Sequence, residues 1–479
     1  MTQHFNNSSA WQNHLLQAST VCALLALCLL SLDMFPWLEL PYMPPRPTYP
    51  VAVLGLLCFA GSGCWGRYLK DYKWFFILTG LNIAPPLCST LAGIADLDFA
   101  RQRETMLAFV RWQVIPLLFL SWFALLFAHL GRERARRLFN LGMLVVAVSN
   151  SVHIVLELFA NNGFAKVKAF LVSVNSYFRM ECIGHGWWPP PYFEGRIRGL
   201  FSEPAYMAFG VIPILGILFY LTYKNRIWLL GIIFYAFVMV QGKIRSGILA
   251  FAVTSAFCAI LSVCIFARRH LKKPGQCMLL LAVMIALGIG GYAGLQKIEQ
   301  RYTKGLAEAN AVCEYVSKSH AGQDVAPPVF QWGLNSSMMT RYLVMRLDID
   351  TALAHPLGVG FYQRGRYWEP LFDIDLNRSG EMRLFVNQAK NDRLLRIPPL
   401  NQYSVTMAEY GIPGLIAFLL LCGYICLKAF HAGCRTKDAY VWTMLAAFVG
   451  MLAAMNAIAA INSLVFYFFA GYVLALTHH

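Results

Sequence analysis

Long apolar segments separated by short polar turns run along almost the whole chain. A membrane-spanning helix needs about 20 mostly apolar residues, and twelve segments approach or exceed that length. These segments lie at approximately 14–34, 50–66, 74–95, 106–130, 138–160, 205–222, 226–242, 246–267, 277–295, 402–428, 439–456 and 458–476. The pattern predicts an all-α polytopic membrane protein with about 12 transmembrane helices.

Lysine and arginine cluster in every second turn between these segments. The even-numbered turns carry Arg67, Lys70 and Lys73, then Arg132, Arg134, Arg136 and Arg137, then Lys224 and Arg226, then Arg268, Arg269, Lys272 and Lys273, and finally Lys428, Arg435 and Lys437. Positively charged turns stay on the cytoplasmic side of a membrane. The pattern therefore predicts that both termini are cytoplasmic and that the odd-numbered turns face outward.

Two of the outward turns are much longer than a connection requires. Loops beyond about 15 residues are uncommon unless they have a function or are disordered, and the aromatic residues of 296–400 argue against disorder. We expect this segment, called the cap below, to fold with short helices around 335–355 and 380–395. The predicted division of the chain is 1–160 (spans 1–5), 161–204 (external loop), 205–295 (spans 6–9), 296–400 (cap) and 401–479 (spans 10–12).

Composition supports a membrane protein and indicates no cofactor. The chain is 58% hydrophobic and only 13% charged, whereas soluble domains carry about 25% charged residues. The net charge of +16 is partly explained by cations that anchor cytoplasmic turns. No cysteine or histidine spacing suggests a metal, and we expect no cleaved signal peptide. Cys182 and Cys313, both predicted outside, either form a disulfide or remain free thiols.

The stretch 195–208 carries the most informative charges. Arg196 and Arg198 precede Glu203-Pro204, where an apolar helix begins at once. Charge at the mouth of a membrane helix is costly unless a polar or anionic partner is bound there. We interpret the stretch as the phosphate-binding edge of an external active site. The alternative for Glu203 is a carboxylate favoured at a helix N-terminus by the helix dipole.

Other cations could contribute to the same phosphate-binding site. The short turn at Lys243 and Arg245 breaks the charge pattern, and Arg341 lies in the cap. Arginine offers a planar fork suited to phosphate, although lipid headgroups and salt bridges use it as well. Within the spans, Arg111 and Glu157 either line an outward cavity or pair with each other.

Four blocks of the sequence carry a resemblance. They are RIRGLFSEPAYMA (196–208), GKIRSGILAF (242–251), RYLVMRLDIDTALAHPLGVGFYQ (341–363) and NQYSVTMAEYGIPGLIAFLLL (401–421). In this order and spacing they resemble the O-antigen polymerase and O-antigen ligase superfamily. The resemblance implies a metal-independent, GT-C-like membrane glycosyltransferase without a cofactor. Its donors would be undecaprenyl-pyrophosphate-linked glycans at the periplasmic face of the bacterial inner membrane.

The resemblance also implies roles for particular residues. Arg198 and Arg245 resemble the family's pyrophosphate-binding arginines, and Arg341 resembles the arginine that precedes its P-x-GVG block. One position departs from the ligase pattern, because Leu400 stands where ligases have a histidine before Asn401. Leucine cannot accept a proton, so the resemblance favours a polymerase over a ligase.

The transfer also needs an acceptor for the proton of the attacking sugar hydroxyl. Glu203 is our first candidate, His355 and Glu409 follow, and His185 is a poorer fourth that lies outside the residues described below. The alternatives are a turn role for His355 and a helix contact for Glu409. Arg196, Lys243, Asn401, Tyr206 and Tyr362 are further candidates for substrate binding.

The sequence therefore predicts a polysaccharide polymerase, with an O-antigen ligase as the alternative. Its partners would be lipid-linked glycans, membrane lipids and, optionally, a chain-length regulator, but no nucleic acid. The rival of another class is a transporter of lipid-linked sugars. No internal repeat and no matching pair of interrupted helices is visible in the sequence, which weakens the transporter hypothesis.

Overall fold

A computed structural model gives the fold of the chain. It describes residues 2–32, 46–176, 192, 194–242, 244–270, 310–319, 323, 337–373, 380–392, 395–456, 459 and 463–478. All regular secondary structure in these ranges is helical, and they contain no strand. The prediction of an all-helical membrane protein is confirmed at this level.

The helices follow the predicted apolar segments closely. In chain order they are α1 (Thr2–Cys28), α2 (Thr48–Gly61), α3 (Lys73–Leu81), α4 (Ala84–Gly93), α5 (Phe99–Phe109), α6 (Ile115–Leu130), α7 (Arg132–Asn161), α8 (Ala165–Ser176), α9 (Pro204–Lys224), α10 (Leu229–Gln241), α11 (Arg245–His270), α12 (310–319), α13 (Ser337–Ala354), α14 (Gly380–Asn391), α15 (Gln402–Thr436), α16 (Ala439–Ala454) and α17 (Leu464–Ala475). Shorter 3₁₀ segments cover Cys64–Tyr68, Arg226–Trp228 and Arg364–Asp373.

Five helical segments of the described chain are long and apolar enough to cross a membrane. They are Lys73–Gly93, Phe99–Leu130, Arg132–Asn161, Pro204–Lys224 and Gln402–Thr436. Five shorter apolar helices accompany them: Thr48–Gly61, Arg226–Gln241, Arg245–Ile260, Ala439–Ala454 and Leu464–Ala475. The predicted span at 277–295 lies outside the described residues, so a total of twelve spans stays a prediction.

Aromatic stacking between α6 and α17 holds the centre of the bundle. The Phe123 and Phe468 rings stack with centroids 4.1 Å apart, and Trp122 meets Phe123 edge to face at 4.9 Å. The Trp122 indole N–H donates to the Ser19 hydroxyl at 2.9 Å, so its polar group is satisfied. Apolar burial drives little helix association inside lipid, and close packing with satisfied polar groups takes its place.

The predicted basic turns meet at one end of the bundle. Arg132 pairs with Asp438 at 2.9 Å, and the Arg136 guanidinium lies 4.1 Å from the Tyr440 ring centroid. The Tyr68 hydroxyl lies 3.2 Å from Nδ1 of His129. We call this end the basic end, and it is where the turns after spans 2, 4 and 10 lie.

The opposite end gathers the helix starts that carry the motif blocks. Two hydrogen bonds lie at this end: the Thr48 hydroxyl donates to the Leu29 carbonyl at 3.0 Å, and the Gln402 N–H donates to the Met455 carbonyl at 2.9 Å. A pocket at this end is lined by residues that include Leu30, Arg46, Phe201, Tyr206 and Ser463. We call this end the motif end.

The cap has a hydrophobic core of its own. Residues from α12, α13, α14 and the 3₁₀ segment contribute Val312, Leu343, Phe385 and the fully buried Trp368. The indole N–H of Trp368 donates to the Thr351 hydroxyl at 3.2 Å. Helices α13 and α14 confirm the short helices expected around 335–355 and 380–395.

Three irregular points in the spanning helices lie beside one another. The break between α3 and α4 places Asn82 against α15, where its amide donates to the Ala417 carbonyl at 2.9 Å. A π-helical turn, Val110–Val114, interrupts the span α5–α6, and Gln113 in it donates to the Asn82 carbonyl at 3.0 Å. Helix α15 kinks at Gly411, which has φ 74°. These three interruptions lie together in the structure, although irregularities of this kind leave no strong sequence signal.

Candidate functional site

The turn that carries Arg198 is held by side chains of α7. The backbone N–H groups of Arg198 and Gly199 donate to Oε2 of Glu157 at 2.9 and 2.8 Å. The next N–H, that of Leu200, donates to the Asn150 side chain at 3.0 Å. A side chain on Gly199, at φ 59°, would collide with Asn150. The turn is thus fitted tightly against α7.

The Arg198 side chain is completely buried in this turn. Its Nη1 donates to the Ser202 carbonyl at 3.2 Å, and its Nε lies 4.0 Å from Oε1 of Glu157. His153 lies 3.6 Å from the same carboxylate and is 2.8 Å from the Asn175 side chain. Glu157 therefore faces Arg198, and the alternative pairing of Glu157 with Arg111 is not formed.

Glu203 stands at the entrance of α9. Its backbone is extended, its carbonyl accepts the Met207 N–H at 3.0 Å, and its half-buried carboxylate makes no capping hydrogen bond. Three residues on, Tyr206 lines the pocket at the motif end together with Arg46. Arg196 is exposed, and its carbonyl accepts the Asn161 side-chain N–H at 3.1 Å.

The first two motif blocks meet through a helix hairpin. Helix α10 returns antiparallel to α9, with Gly231 against Leu218, so α11 starts beside the start of α9. At that point the backbone of Gly247 packs closely on Ala208. Arg245, the first residue of α11, is exposed at the same end of the bundle as Glu203. Lys243 lies outside the described residues.

The third and fourth blocks meet through backbone hydrogen bonds. The N–H groups of Val359 and Gly360 donate to the carbonyls of Ala408 and Glu409 at 3.0 and 2.8 Å. Beyond the kink of α15, the Ile412 N–H donates to the Pro356 carbonyl at 2.9 Å. Gly358 and Gly411, both at positive φ, allow the two backbones to touch. The PLGVG segment is therefore docked into the interruption of a membrane helix.

This contact builds a buried ionic cluster around Arg364. Its Nη1 donates to both oxygens of Asp348 at 2.8 and 3.1 Å, and its Nε lies 3.5 Å from Oε1 of Glu409. Its Nη2 donates to the Ile397 carbonyl at 2.6 Å, while the Ser404 hydroxyl donates to Asp348 at 2.8 Å. Burial raises the pKa of the Asp348 carboxyl, against the opposing effect of Arg364.

Arg364 and Asp348 are residues that the sequence analysis missed. Asp348 belongs to the third block and Arg364 follows it directly, but a single arginine two residues after a tyrosine resembles any loop cation. The only available signal was their position next to the PLGVG segment. Of the predicted residues, Glu409 belongs to this cluster, and its carboxylate also accepts the Tyr362 backbone N–H.

The other predicted residues of the cap and of α15 have different surroundings. Tyr362, at φ 59°, stacks on Phe361 with centroids 4.0 Å apart, and burial raises the pKa of its phenol to about 12. Asn401 is the N-cap of α15 and accepts the N–H groups of Tyr403 and Ser404 at 2.9 and 3.1 Å. This capping role accounts for its side chain without a substrate.

Arg341 and His355 lie near the two ends of α13. Arg341 is half-buried in its first turns, and His355, exposed at its end, packs its ring 4.5 Å from that of Tyr367. In the same cap, Cys313 is a buried free thiol whose pKa is raised to about 12 by burial. Its possible partner Cys182 lies outside the described residues.

The structure thus forms two groups from the predicted residues. Arg198, Glu203, Tyr206 and Arg245 lie at the helix starts of the motif end, while Glu409 and Tyr362 join Arg364 in the cluster below the cap. Within the described ranges no three histidine, cysteine, aspartate or glutamate side chains are grouped to hold a metal ion. No protein-family model matches the chain, and no curated protein matches it.

Proposed function

We propose that this protein is a polysaccharide polymerase of the bacterial inner membrane, with twelve spans, cytoplasmic termini and a periplasmic cap. It would join undecaprenyl-pyrophosphate-linked repeat units into O-antigen or a related surface polysaccharide. In the reaction, the hydroxyl oxygen of an acceptor sugar attacks the anomeric carbon of the donor glycan. The bond from that carbon to the pyrophosphate oxygen breaks, and the hydroxyl proton passes to a base.

The observation that carries the proposal is the contact of motif blocks that are far apart in sequence. Block 196–208 packs on block 242–251 through Ala208 and Gly247, and block 341–363 is hydrogen-bonded to block 401–421. All four blocks therefore contribute to one end of the bundle, opposite the basic turns. An enzyme whose donor substrate is presented outside the membrane needs the polar residues of its site on the side opposite the positively charged turns.

The surroundings of each residue suggest which role it would have in the proposed reaction. Arg245 is exposed at a helix start and would contact the pyrophosphate directly, with Arg341 as a second donor. Arg198 is buried beside Glu157 and would act by shaping the turn that presents Glu203. Glu203 remains the first candidate for the base, because its half-buried carboxylate stands at the start of α9, directly after the turn that carries Arg198.

The proposal is tested with purified protein and a synthetic undecaprenyl-pyrophosphate repeat unit, without nucleotide sugar, metal or lipid A. We expect a ladder of products on a gel, and its loss in Arg245→Ala. Arg134→Ala, which removes an exposed arginine of α7 on the basic side, is the matched control and should retain the ladder. Products that form only when lipid A core is added would identify a ligase instead.

A transporter of lipid-linked sugars is a second candidate, favoured by the interruptions at Asn82, Val110–Val114 and Gly411. Interrupted helices that meet inside a membrane are a feature of transporter binding sites. If no product forms and the same lipid crosses the bilayer of proteoliposomes that contain the protein, the transporter is supported and the polymerase is refuted.

A further inference from the structure

The end of helix α13 exposes an apolar segment on the surface of the cap. Leu353 is 67% exposed and Leu357 is 75% exposed, and Ala354 and Pro356 between them are exposed as well. Among the described side chains of the cap, no other large hydrophobic one is exposed. Single exposed leucines need no explanation, but a contiguous apolar patch marks a contact with a protein or a membrane.

The exposed side chains elsewhere in the described part of the cap are mainly polar. They include Arg346, Glu369, Arg383 and Lys390. The apolar segment 353–357 therefore differs from the rest of the cap surface, and a partner for it has to be apolar.

This segment is fixed to a membrane-spanning helix. The Ile412 N–H of α15 donates to the Pro356 carbonyl at 2.9 Å. The backbone of Leu357 lies so close to Gly411 that a Cβ atom on this glycine would meet it. Leu357 is therefore held at the level of residues 411 and 412 of α15.

That level lies at the outer edge of the hydrocarbon region. Helix α15 has no charged residue between Glu409 and Lys428, and Arg435 is the next cation on it. The hydrocarbon core takes about 20 residues of a helix, and this length counted back from Lys428 and from Arg435 reaches residues 408 and 415. Ile412 falls between these two positions.

The exposed leucines of the cap continue the lipid-facing side of α15. Ile412, Ile416, Leu419 and Leu420 are between 43% and 52% exposed. Their spacing of three and four residues places them on one face of the helix, and a spanning helix presents such an apolar face to acyl chains. Leu357, next to Ile412, extends this surface from the helix into the cap.

We propose that Leu353 and Leu357 dip into the bilayer and anchor the cap to the acyl chains of the leaflet at the motif end. Irregular backbone is tolerated at membrane depth only where its polar groups are paired within the protein. Here the Val359 and Gly360 N–H groups donate to carbonyls of α15 at 3.0 and 2.8 Å. The anchor would hold the ionic cluster around Arg364 close to the membrane surface. It does not depend on the proposed polymerase reaction.

Photo-crosslinking tests the anchor in the full-length protein in phosphatidylcholine nanodiscs. The photoreactive residue p-benzoylphenylalanine replaces Leu357, and adducts with phosphatidylcholine are quantified by mass spectrometry. The same substitution at Ile416, on the lipid-facing side of α15, is the positive control. The same substitution at Lys390, an exposed charged position on α14, is the negative control.

We expect the yield of lipid adduct at position 357 to be within about threefold of that at 416 and about tenfold or more above that at 390, because the probe must contact an acyl chain to react. A yield at the level of the Lys390 control would overturn the proposal. Crosslinking of position 357 to another segment of this chain instead of lipid would also overturn it.

A charged double variant tests the same contact through the backbone. Charge is costly in hydrocarbon, so Leu353→Asp combined with Leu357→Asp should expel the segment and loosen the hydrogen bonds of Val359 and Gly360. Hydrogen exchange of peptides that contain these two amides should become about threefold faster or more in nanodiscs. Asn387→Asp, an exposed substitution on α14, is the matched control and should leave the exchange unchanged.

Peptides of α9 report whether the bundle of the double variant remains folded, and their exchange should stay as in the unmodified protein. Unchanged exchange at Val359 and Gly360 in the double variant would show that the two leucines face water, and would reject the anchor. Neither measurement uses the product ladder, so a failure of the anchor leaves the polymerase proposal standing.

Discussion

Arg364 donates from its Nη1 to both carboxylate oxygens of Asp348, at 2.8 and 3.1 Å, in an ion pair that is almost completely buried. The same guanidinium lies 3.5 Å from Glu409 of α15. One arginine therefore joins the cap to the membrane helix that is kinked at Gly411. Glu409, a predicted catalytic residue, thus has a partner whose removal can be tested independently of any substrate.

Replacing Arg364 with alanine should destabilise the protein by about 3–5 kcal/mol, because two carboxylates would be left buried without their cation. The measurement is thermal unfolding of purified protein in detergent. Arg366→Ala is the control: Arg366 is close in sequence but about a third exposed, and its pair with Asp96 should be worth at most about 1 kcal/mol. Similar losses in both variants would show that the cluster does not hold the cap.

Gly411→Ala should be strongly destabilising, by about 2 kcal/mol or more. Its φ of 74° is strained for a residue with a side chain, and a Cβ atom would meet the backbone of Pro356 and Leu357. Gly423 lies in the same helix with nothing within 4 Å of a Cβ atom, so Gly423→Ala should be neutral or stabilise by up to about 1 kcal/mol. Thermal unfolding of the two variants is the measurement. If Gly411→Ala were as stable as Gly423→Ala, the docking of the PLGVG segment into the kink of α15 would be refuted.

Much of the helical framework could be predicted because it depends on local features. The apolar run at 205–222 became α9, Pro204–Lys224, and the described basic turns after spans 2, 4 and 10 share one end of the bundle. The short helices of the cap were likewise visible as patterned segments. A run of apolar residues determines whether a helix forms in a membrane, and this can be judged without knowing its neighbours.

The contacts of the candidate site could not be predicted, because they join residues distant in sequence. Arg198 and Glu157 are 41 positions apart, and Arg364 and Glu409 are 45 apart. Sequence spacing revealed charged residues near helix ends, but whether each would face a ligand or another side chain depends on tertiary packing. For the same reason the kink at Gly411 appeared only as a glycine within an apolar run.

The pair between Asp96 and Arg366 should give the attachment of the cap a dependence on pH. Arg366 donates to both carboxylate oxygens of Asp96, at 3.2 and 2.7 Å, and holds the pKa of that carboxyl below its ordinary value. The pair stabilises the folded state above the ordinary pKa of aspartate, about 3.9, and this contribution disappears as the pH falls through the lowered value.

Hydrogen exchange of the peptides around Asp96 and Arg366, followed from about pH 6 down to about pH 3, measures this effect. After correction for the intrinsic rate, protection should fall at the acid end in the unmodified protein. Asp96→Asn should show lower protection at pH 6 and no acid transition. A transition that survives in Asp96→Asn would assign the pH dependence to another carboxyl.

Glu157→Ala should cost about 3–5 kcal/mol, since it leaves the N–H groups of Arg198 and Gly199 and the Arg198 charge buried without their acceptor. Glu157→Gln keeps one acceptor oxygen and should cost less. Glu133→Gln, an exposed substitution in α7, is the matched control and should change unfolding by no more than about 0.5 kcal/mol.

A double-mutant cycle between Glu157→Gln and Arg198→Gln then asks whether the two side chains act as a unit. We expect a coupling of about 1–3 kcal/mol in thermal unfolding, because each residue compensates the buried charge of the other. Strictly additive losses would mean that Arg198 is stabilised by something other than Glu157. In that case the role of the Glu157–Arg198 pair in shaping the turn at Glu203 would have to be abandoned.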